Sequence, residues 1–268
     1  MKSLLTGQFY GTTNETIHLN GITLTDTEYT HEKVDWHFHE NAYFTFILEG
    51  KLLEGNKKDM FSCNTGTLLF HNCQEAHYNI KPEGFTRGFH IELDQKWIDS
   101  YGIRTASLSG SHNLVYPRMK WLMYNIFRET KFSAESGQPA IDALLLELLT
   151  TLSGVAESSS KKRPEWVDKI KEILNDAMEE FTLSELAVIL DIHPVHLSRY
   201  FSRYFNCTLG DYIRTIKLQR ALSLLPERDL SLTDIAMSCN FADQSHFIRS
   251  FKAQYLITPS EFRKILLK

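Results

Sequence analysis

One short stretch carries side chains with obvious chemical capability: Trp36-His37-Phe38-His39-Glu40, joined by a third histidine, His77, eleven residues after Gly66. Histidines at i and i+2 on a strand point to one face, while Trp36 and Phe38 point to the other. Three neutral imidazoles brought together can hold zinc, iron, nickel or copper, or they can hydrogen-bond a small polar ligand. Satisfied core histidines are the plain structural alternative. Glu40 adjoins His39, so on a regular strand it faces away from the pair and joins it only if a bulge redirects it. His18, His31, His71 and His90 stand singly, with no spacing that recruits them. The sequence has no nucleophile elbow, glycine-rich phosphate loop or paired acid–base site, which argues against an enzyme.

The elements that must position these residues are short strands. Residues 14–93 alternate β-branched, aromatic and polar side chains between turn residues such as Asn20-Gly21, Gly50, Gly55-Asn56 and Pro82 to Gly84. That pattern predicts a small β-barrel or sandwich. From about Leu114 the period changes: Val115, Met119, Leu122, Met123 and Ile126 recur at three- and four-residue spacing, and a second helix opens near Pro139, after Ser136-Gly137. This second helix, PAIDALLLELLTTL, is apolar around most of its circumference and must be covered by the strands, by the preceding helix or by a second subunit. Ala156 to Glu165, AESSSKKRPE, reads as a linker, and everything after it reads as helical.

A chain of 268 residues predicts two domains. Its 43% hydrophobic and 23% charged residues are those of an ordinary globular protein. No apolar run approaches the roughly 20 residues that span a bilayer, and the N-terminus lacks a secretory signal, so a cytoplasmic protein with no membrane partner is expected. Cys63, Cys73, Cys207 and Cys239 form no CxxC pair; buried free thiols are expected, with a Cys63–Cys73 redox pair as the alternative. The net charge of -4 conceals a contrast: residues 161–268 carry 16 Lys and Arg against 14 Asp and Glu, whereas residues 1–160 carry 13 against 19. Within 193–220 stand Arg199, Arg203, Arg214, Lys217 and Arg220 against Asp211 alone. A basic cluster raises the prospect of nucleic-acid contact, although such clusters are often only solvated faces.

The C-terminal third repeats itself. FTLSELAVIL from Phe181 matches LSLTDIAMSC from Leu230 at an offset of 49; the offset then becomes 50, pairing Leu197 with Phe247, Arg199 with Arg249, Phe201 with Phe251 and Thr208 with Thr258. Thr182 with Glu185, and Ser231 with Asp234, are placed to cap a short helix. A turn and a second helix follow, giving two helix-turn-helix units. Leu197, Tyr200, Phe201 and Tyr204 are expected to face inward in the first, and Phe247, Ile248, Phe251 and Tyr255 in the second. The opposite faces carry Val195, His196, Ser198, Arg199 and Arg203, and Gln244, Ser245, His246, Arg249 and Lys252. Arg, Gln, Ser and an apolar residue suit major-groove edges, while further basic residues suit phosphates. Leu209 to Leu225 predicts one continuous helix joining the units. A plain helical bundle would explain the inward aromatics but not outward arginines matched in duplicate.

FADQSHFIRSFKAQYLITPSEFR, Phe241 to Arg263, and HPVHLSRYF, His193 to Phe201, resemble the DNA-binding domain of the AraC/XylS family of transcriptional regulators. Asn240 and Leu256 stand where the family has glycine, and Thr208-Leu209 where Thr-Pro is usual. The resemblance implies base contacts at Val195, Ser198, Arg199, Gln244, Ser245 and Arg249. The first histidine pair and His77 resemble the two motifs of the cupin fold, which often precedes this DNA-binding domain. Metal cupins place a glutamate where this chain has Phe44, flanked by Tyr43, and they have Pro and Gly where Asn72 and Gln74 stand.

The expected fold is therefore α+β with two domains: a cupin-like β-barrel sensor over 1–110, a helical dimerisation segment over 111–155, a linker over 156–165 and an all-α tandem helix-turn-helix domain over 166–268. The expected function is a homodimeric transcriptional regulator, an activator by family resemblance. It would bind double-stranded promoter DNA, contact RNA polymerase, and respond to a small-molecule effector held by His37, His39, Tyr43 and His77. No catalytic residue and no cofactor are assigned. The alternative is a divalent transition metal on His37, His39 and His77, serving a metal sensor or a metal-dependent cupin enzyme fused to the DNA-binding module. A constitutive DNA-binding protein whose barrel serves only in dimerisation is a third reading.

Overall fold

Residues 2–103, 110–132, 137–159, 164–176, 181–205 and 207–267 are described by a computed structural model. The chain divides into two units, Met1–Ser158 with Arg263–Lys268, and Ser159–Phe262.

Among the described residues, the first unit holds eleven strands in two sheets. One has the order β1-β4-β9-β6-β7, built from Lys2–Leu4, Lys33–His39, His77–Ile80, Lys51–Asn56 and Met60–Asn64. The other has the order β11-β8-β5-β10-β3-β2, built from Ser111–Asn113, Leu68–His71, Ala42–Glu49, Arg87–Leu93, Ile22–Glu28 and Thr12–Leu19. Ile47, Leu52, Cys63 and Leu69 form a buried cluster drawn from both sheets, which therefore pack as two layers rather than as one closed barrel. Strands β1 and β11 lie outside the 14–93 range in which strands were expected, and the three residues of β1 run parallel to His37–His39 of β4.

Every residue of β10 is buried, as is every residue of β5 but its last. Alternating side chains of these strands enter two different environments. Tyr43, Thr45, His90 and Glu92 face the space between the sheets, where Tyr43 meets His77 and Thr45 meets His90. Phe46 and Phe89 face the helices, packing edge-on against Tyr124 and Phe127 of α2, Pro117–Phe132. Helix α1, Gln95–Ser100, donates from Trp97 Nε1 to Asp142 of α3, Gln138–Ser159, at 3.0 Å. Ile141, Leu145, Leu148, Leu149 and Leu152 supply the buried stripe of α3. A buried bidentate pair, Arg87 with Asp26 at 2.8 and 2.6 Å, ties β10 to β3.

The expected linker is helical at its start, because α3 continues through Ala156 to Ser159, and Glu165 already opens α4, Glu165–Asp176. Ala and Glu continue a helix readily once a preceding turn exists. Residues 160–163 of that segment, and Ser136 before α3, lie outside the described residues.

The second unit is helical: α4, α5 (Leu183–Ile189), α6 (Pro194–Phe205), α7 (Leu209–Leu224), α8 (Leu232–Ser238), α9 (Gln244–Tyr255) and the start of α10 (Pro259–Leu266). Both expected capping boxes form: Thr182 with Glu185 and Ser231 with Asp234, each exchanging side-chain and backbone hydrogen bonds. Thr258 and Glu261 repeat the arrangement before α10. The turns after α5 and α8 place Asp191 and Asn240, 49 residues apart, at φ 53° and 57°. Asp and Asn tolerate this left-handed conformation. Leu256 also adopts it, at φ 65°.

Candidate nucleic-acid interface and buried histidine cluster

Each repeat buries one stripe of its second helix and leaves the other bare. In α6 the buried residues are Leu197 and Phe201, with Phe205 stacked on Phe201 at 4.2 Å. Tyr200 and Tyr204, expected inward, are 37% and 38% exposed. A stripe advancing by four residues from Leu197 reaches Phe201 and Phe205, leaving the two tyrosines on the flank beside His196 and Trp166. In α9 Phe247, Phe251 and Tyr255 are buried, and Ile248 is only half-buried. Val195, His196, Ser198, Arg199 and Arg203 are all exposed on α6, as are Ser245, Arg249 and Lys252 on α9.

Gln244 and His246 are half-buried and already engaged. Thr233 Oγ1 donates to Gln244 Oε1 at 2.7 Å, and the His246 ring meets Phe241 edge-on at 5.5 Å. Gln244 is thus oriented before any ligand arrives, with its amide N–H groups left to donate.

The joining helix forms as one piece and explains part of the basic cluster. Sixteen residues of α7 span about 24 Å. Arg214 pairs with Asp211 at 2.8 Å, Lys217 donates to Asn240 O just past α8 at 2.7 Å, and Arg220 reaches Leu174 O in the last turn of α4 at 3.5 Å. Two of these cations therefore complement carbonyl-rich helix C-termini. Arg199 and Arg203 of the cluster, and Arg249 and Lys252 of α9, are exposed.

Between the sheets of the first unit, His37, His39 and His77 come together, each buried, with ligand atoms within 4.8 Å of one another. The backbone sets their tautomers. His37 Nδ1 donates to Asp35 O at 2.9 Å and His77 Nδ1 to Glu75 O at 3.1 Å, which leaves both Nε2 atoms as acceptors. Tyr43 O–H donates to His77 Nε2 at 3.0 Å. Burial pushes the histidines down, His39 to about 2 and His77 to about 3, with neighbouring imidazoles adding to the effect on these two and Lys2 on His37, so the neutral imidazoles are favoured.

The carboxylates that the spacing lacked are supplied from other strands. Glu92 Oε1 lies 4.0 Å from His39 Nδ1, and Glu54 Oε1 lies 3.1 Å from His71 Nε2, although none of these four atoms completes a hydrogen bond. Burial raises Glu54 to about 8 and Glu92 to about 7. Phe44 turns away toward Phe70, and Glu40 is exposed, accepting from Thr6. His71 and His90, which no spacing recruited, belong to the cluster: His71 stacks on Tyr43 at 4.5 Å, and His90 bonds Thr45 and Tyr29. Phe9, from the segment before β2, stacks on His90 at 3.7 Å. All four cysteines are free, with Cys63 buried and Cys73 exposed.

A family described as a helix-turn-helix domain matches residues 186–265. The chain is 42% identical over 69 residues to the probable transcription factor PqrA of Proteus vulgaris, covering 26% of this chain and 57% of that protein. It is 33% identical over 110 residues to the bifunctional transcriptional activator/DNA repair enzyme AdaA of Bacillus subtilis, covering 40% and 52%. Residues 186–265 are thus an AraC-type helix-turn-helix domain. The chain spans little more than half the length of these relatives. ToxT of Vibrio cholerae, in the crystal structure of an apo variant, is similar at 12% identity and a TM-score of 0.42, covering 93% of this chain and 99% of that one. Among the described residues, no helix is long and apolar enough to cross a membrane.

Proposed function

We propose that the chain is a sequence-specific DNA-binding transcriptional regulator whose first unit, a cupin-like sandwich, senses a ligand. The observation that carries the reading is the duplicated pair of capped helix-turn-helix units with Arg199 and Arg249 bare at matched positions. In this reading Arg199, Arg249, Gln244, Ser198, Ser245 and Val195 meet base edges in successive major grooves of promoter DNA, while Arg203 and Lys252 meet phosphates. Dimerisation through α2 and α3, contact with RNA polymerase and an activating outcome complete the proposal. Selection from a random duplex library, followed by anisotropy titration, tests it. Arg199→Ala and Arg249→Ala should each cost about 1–3 kcal/mol on the selected site, and specific binding that survives both changes rejects the reading.

The histidine cluster favours a second reading of the sensor, in which the signal is an ion. A point among three atoms no more than 4.8 Å apart lies within about 2.8 Å of each, a separation that a single ion can bridge. Histidine ligands to metals typically donate their other ring N–H to a carbonyl or carboxylate, as His37 and His77 do here. A divalent transition metal would be held by Nε2 of His37 and His77 and a ring nitrogen of His39, the Tyr43 O–H giving up its bond to His77 Nε2. Elemental analysis of the purified chain tests this: one equivalent of metal, lost with His37→Ala and His39→Ala, supports the ion, and an unchanged metal content rejects it.

A further inference from the structure

One side-chain contact in the second repeat bears on which base that repeat reads. Gln244 is the first residue of α9, directly after its N-cap Asp243, and the first turn of the second helix is the part of a helix-turn-helix that reaches base edges. Thr233 is the second residue of α8, after the N-cap Ser231. In mid-helix a threonine can give its hydroxyl proton to the carbonyl four residues back, but in the first turn no helical carbonyl stands there. Thr233 Oγ1 donates instead across the turn to Gln244 Oε1 at 2.7 Å.

This bond fixes which end of the amide is presented. A free glutamine rotates about its last side-chain bond and can offer either its oxygen or its nitrogen to a base edge. With Oε1 held toward α8, the Nε2 end remains, and among the described residues its two N–H groups meet no acceptor. Guanine offers two acceptors in the major groove, O6 and N7, whereas adenine sets its N6 amino donor beside N7. A glutamine that grips adenine at both atoms needs Oε1 turned to N6, in competition with Thr233.

We propose that Thr233 is a positioning residue for base readout: by holding Oε1 it makes Gln244 a donor that selects guanine over adenine in the half-site of the second repeat. The proposal rests on the regulator reading and names one determinant of its sequence preference. Thr233 touches no base in this scheme and acts through the glutamine alone.

Selection from a random duplex library with the full chain and with Gln244→Ala identifies the base pair whose preference depends on Gln244. Anisotropy titrations then compare duplexes carrying guanine, adenine or a guanine analogue lacking N7 at that position. The unaltered chain should favour guanine over adenine by about tenfold or more, and it should lose affinity for the analogue where Gln244→Ala does not. Thr233→Val keeps the shape and removes the donor, so it should narrow the guanine preference by about fivefold, the worth of one neutral hydrogen bond. Thr233→Ser, which keeps the hydroxyl, should restore it. The salt dependence of binding should stay the same in all variants, because no phosphate contact has changed, and thermal melting confirms that each folds. Adenine favoured by the unaltered chain, a guanine preference unmoved by Thr233→Val, or an enriched site in which no base pair depends on Gln244 overturns the proposal and leaves the regulator reading standing. A selection that enriches no sequence rejects both.

Discussion

Leu256 offers a sharp test of how the second repeat ends. It closes α9 at φ 65°, ψ 0° and is 70% exposed. A Cβ in this conformation crowds the following carbonyl at about 1–2 kcal/mol. Glycine avoids that cost, but it loses about 0.5–1 kcal/mol more than alanine in backbone entropy on folding. Comparing Leu256→Gly with Leu256→Ala removes the same leucine atoms beyond Cβ in both, so lost burial cancels. The difference leaves glycine ahead by about 1 kcal/mol, reversing the usual preference for alanine. For a unit of about 100 residues this is roughly 4–8 °C in melting temperature. Scanning calorimetry on the full chain reads it, from the transition that the two substitutions move. An alanine variant melting at or above the glycine variant refutes the left-handed assignment and the strain argument together.

Other consequences follow from the same geometry. Asp26→Asn strands the buried Arg87 guanidinium and should destabilise the first unit by about 3–5 kcal/mol in denaturant melts; a loss under about 1 kcal/mol would mean that the pair is hydrated. Hydrogen bonds from Thr182 and Ser231 hold Glu185 and Asp234 below their usual pKa. A lowered folded-state pKa contributes stability above the unfolded value that is lost as pH falls through the folded one. Helicity of the second unit should therefore decline below about pH 4, and Glu185→Gln with Asp234→Asn should flatten that decline in circular dichroism. Thr182→Ala alone should cost about 1 kcal/mol through its lost cap. Arg203→Ala and Lys252→Ala should weaken binding to all duplexes alike and each reduce the salt slope by about 1, whereas Arg249→Ala should change the preferred sequence.

What could be read in the sequence was local or repeated. Helix starts in the second unit follow from a capping residue and its partner three positions on, and the 49-residue offset aligns even the left-handed Asp191 and Asn240. The side of a helix was harder. Tyr200 and Tyr204 share the spacing of a buried stripe, and only packing shows that Leu197, Phe201 and Phe205 win the interior. The histidine trio was legible in His37 and His39, which share a strand, and in His77 through its place eleven residues after Gly66. Glu54, His71, His90 and Glu92 join from four positions on three other strands, a proximity that sheet pairing alone creates. Helices covering one face of β5 and β10 also hid the alternation that marks an inward polar residue, since Tyr43, Thr45, His90 and Glu92 sit between equally buried neighbours.

The Thr233–Gln244 bond has no counterpart in the first repeat, where Pro194 occupies the place of Gln244 and Ser184 that of Thr233. The two halves of this protein are therefore a left and a right hand rather than two copies of one tool. A DNA element read by such a pair has a head and a tail even within the footprint of a single chain. Turning that element around on the chromosome would turn the bound chain with it, so orientation, and not sequence content alone, becomes part of the address.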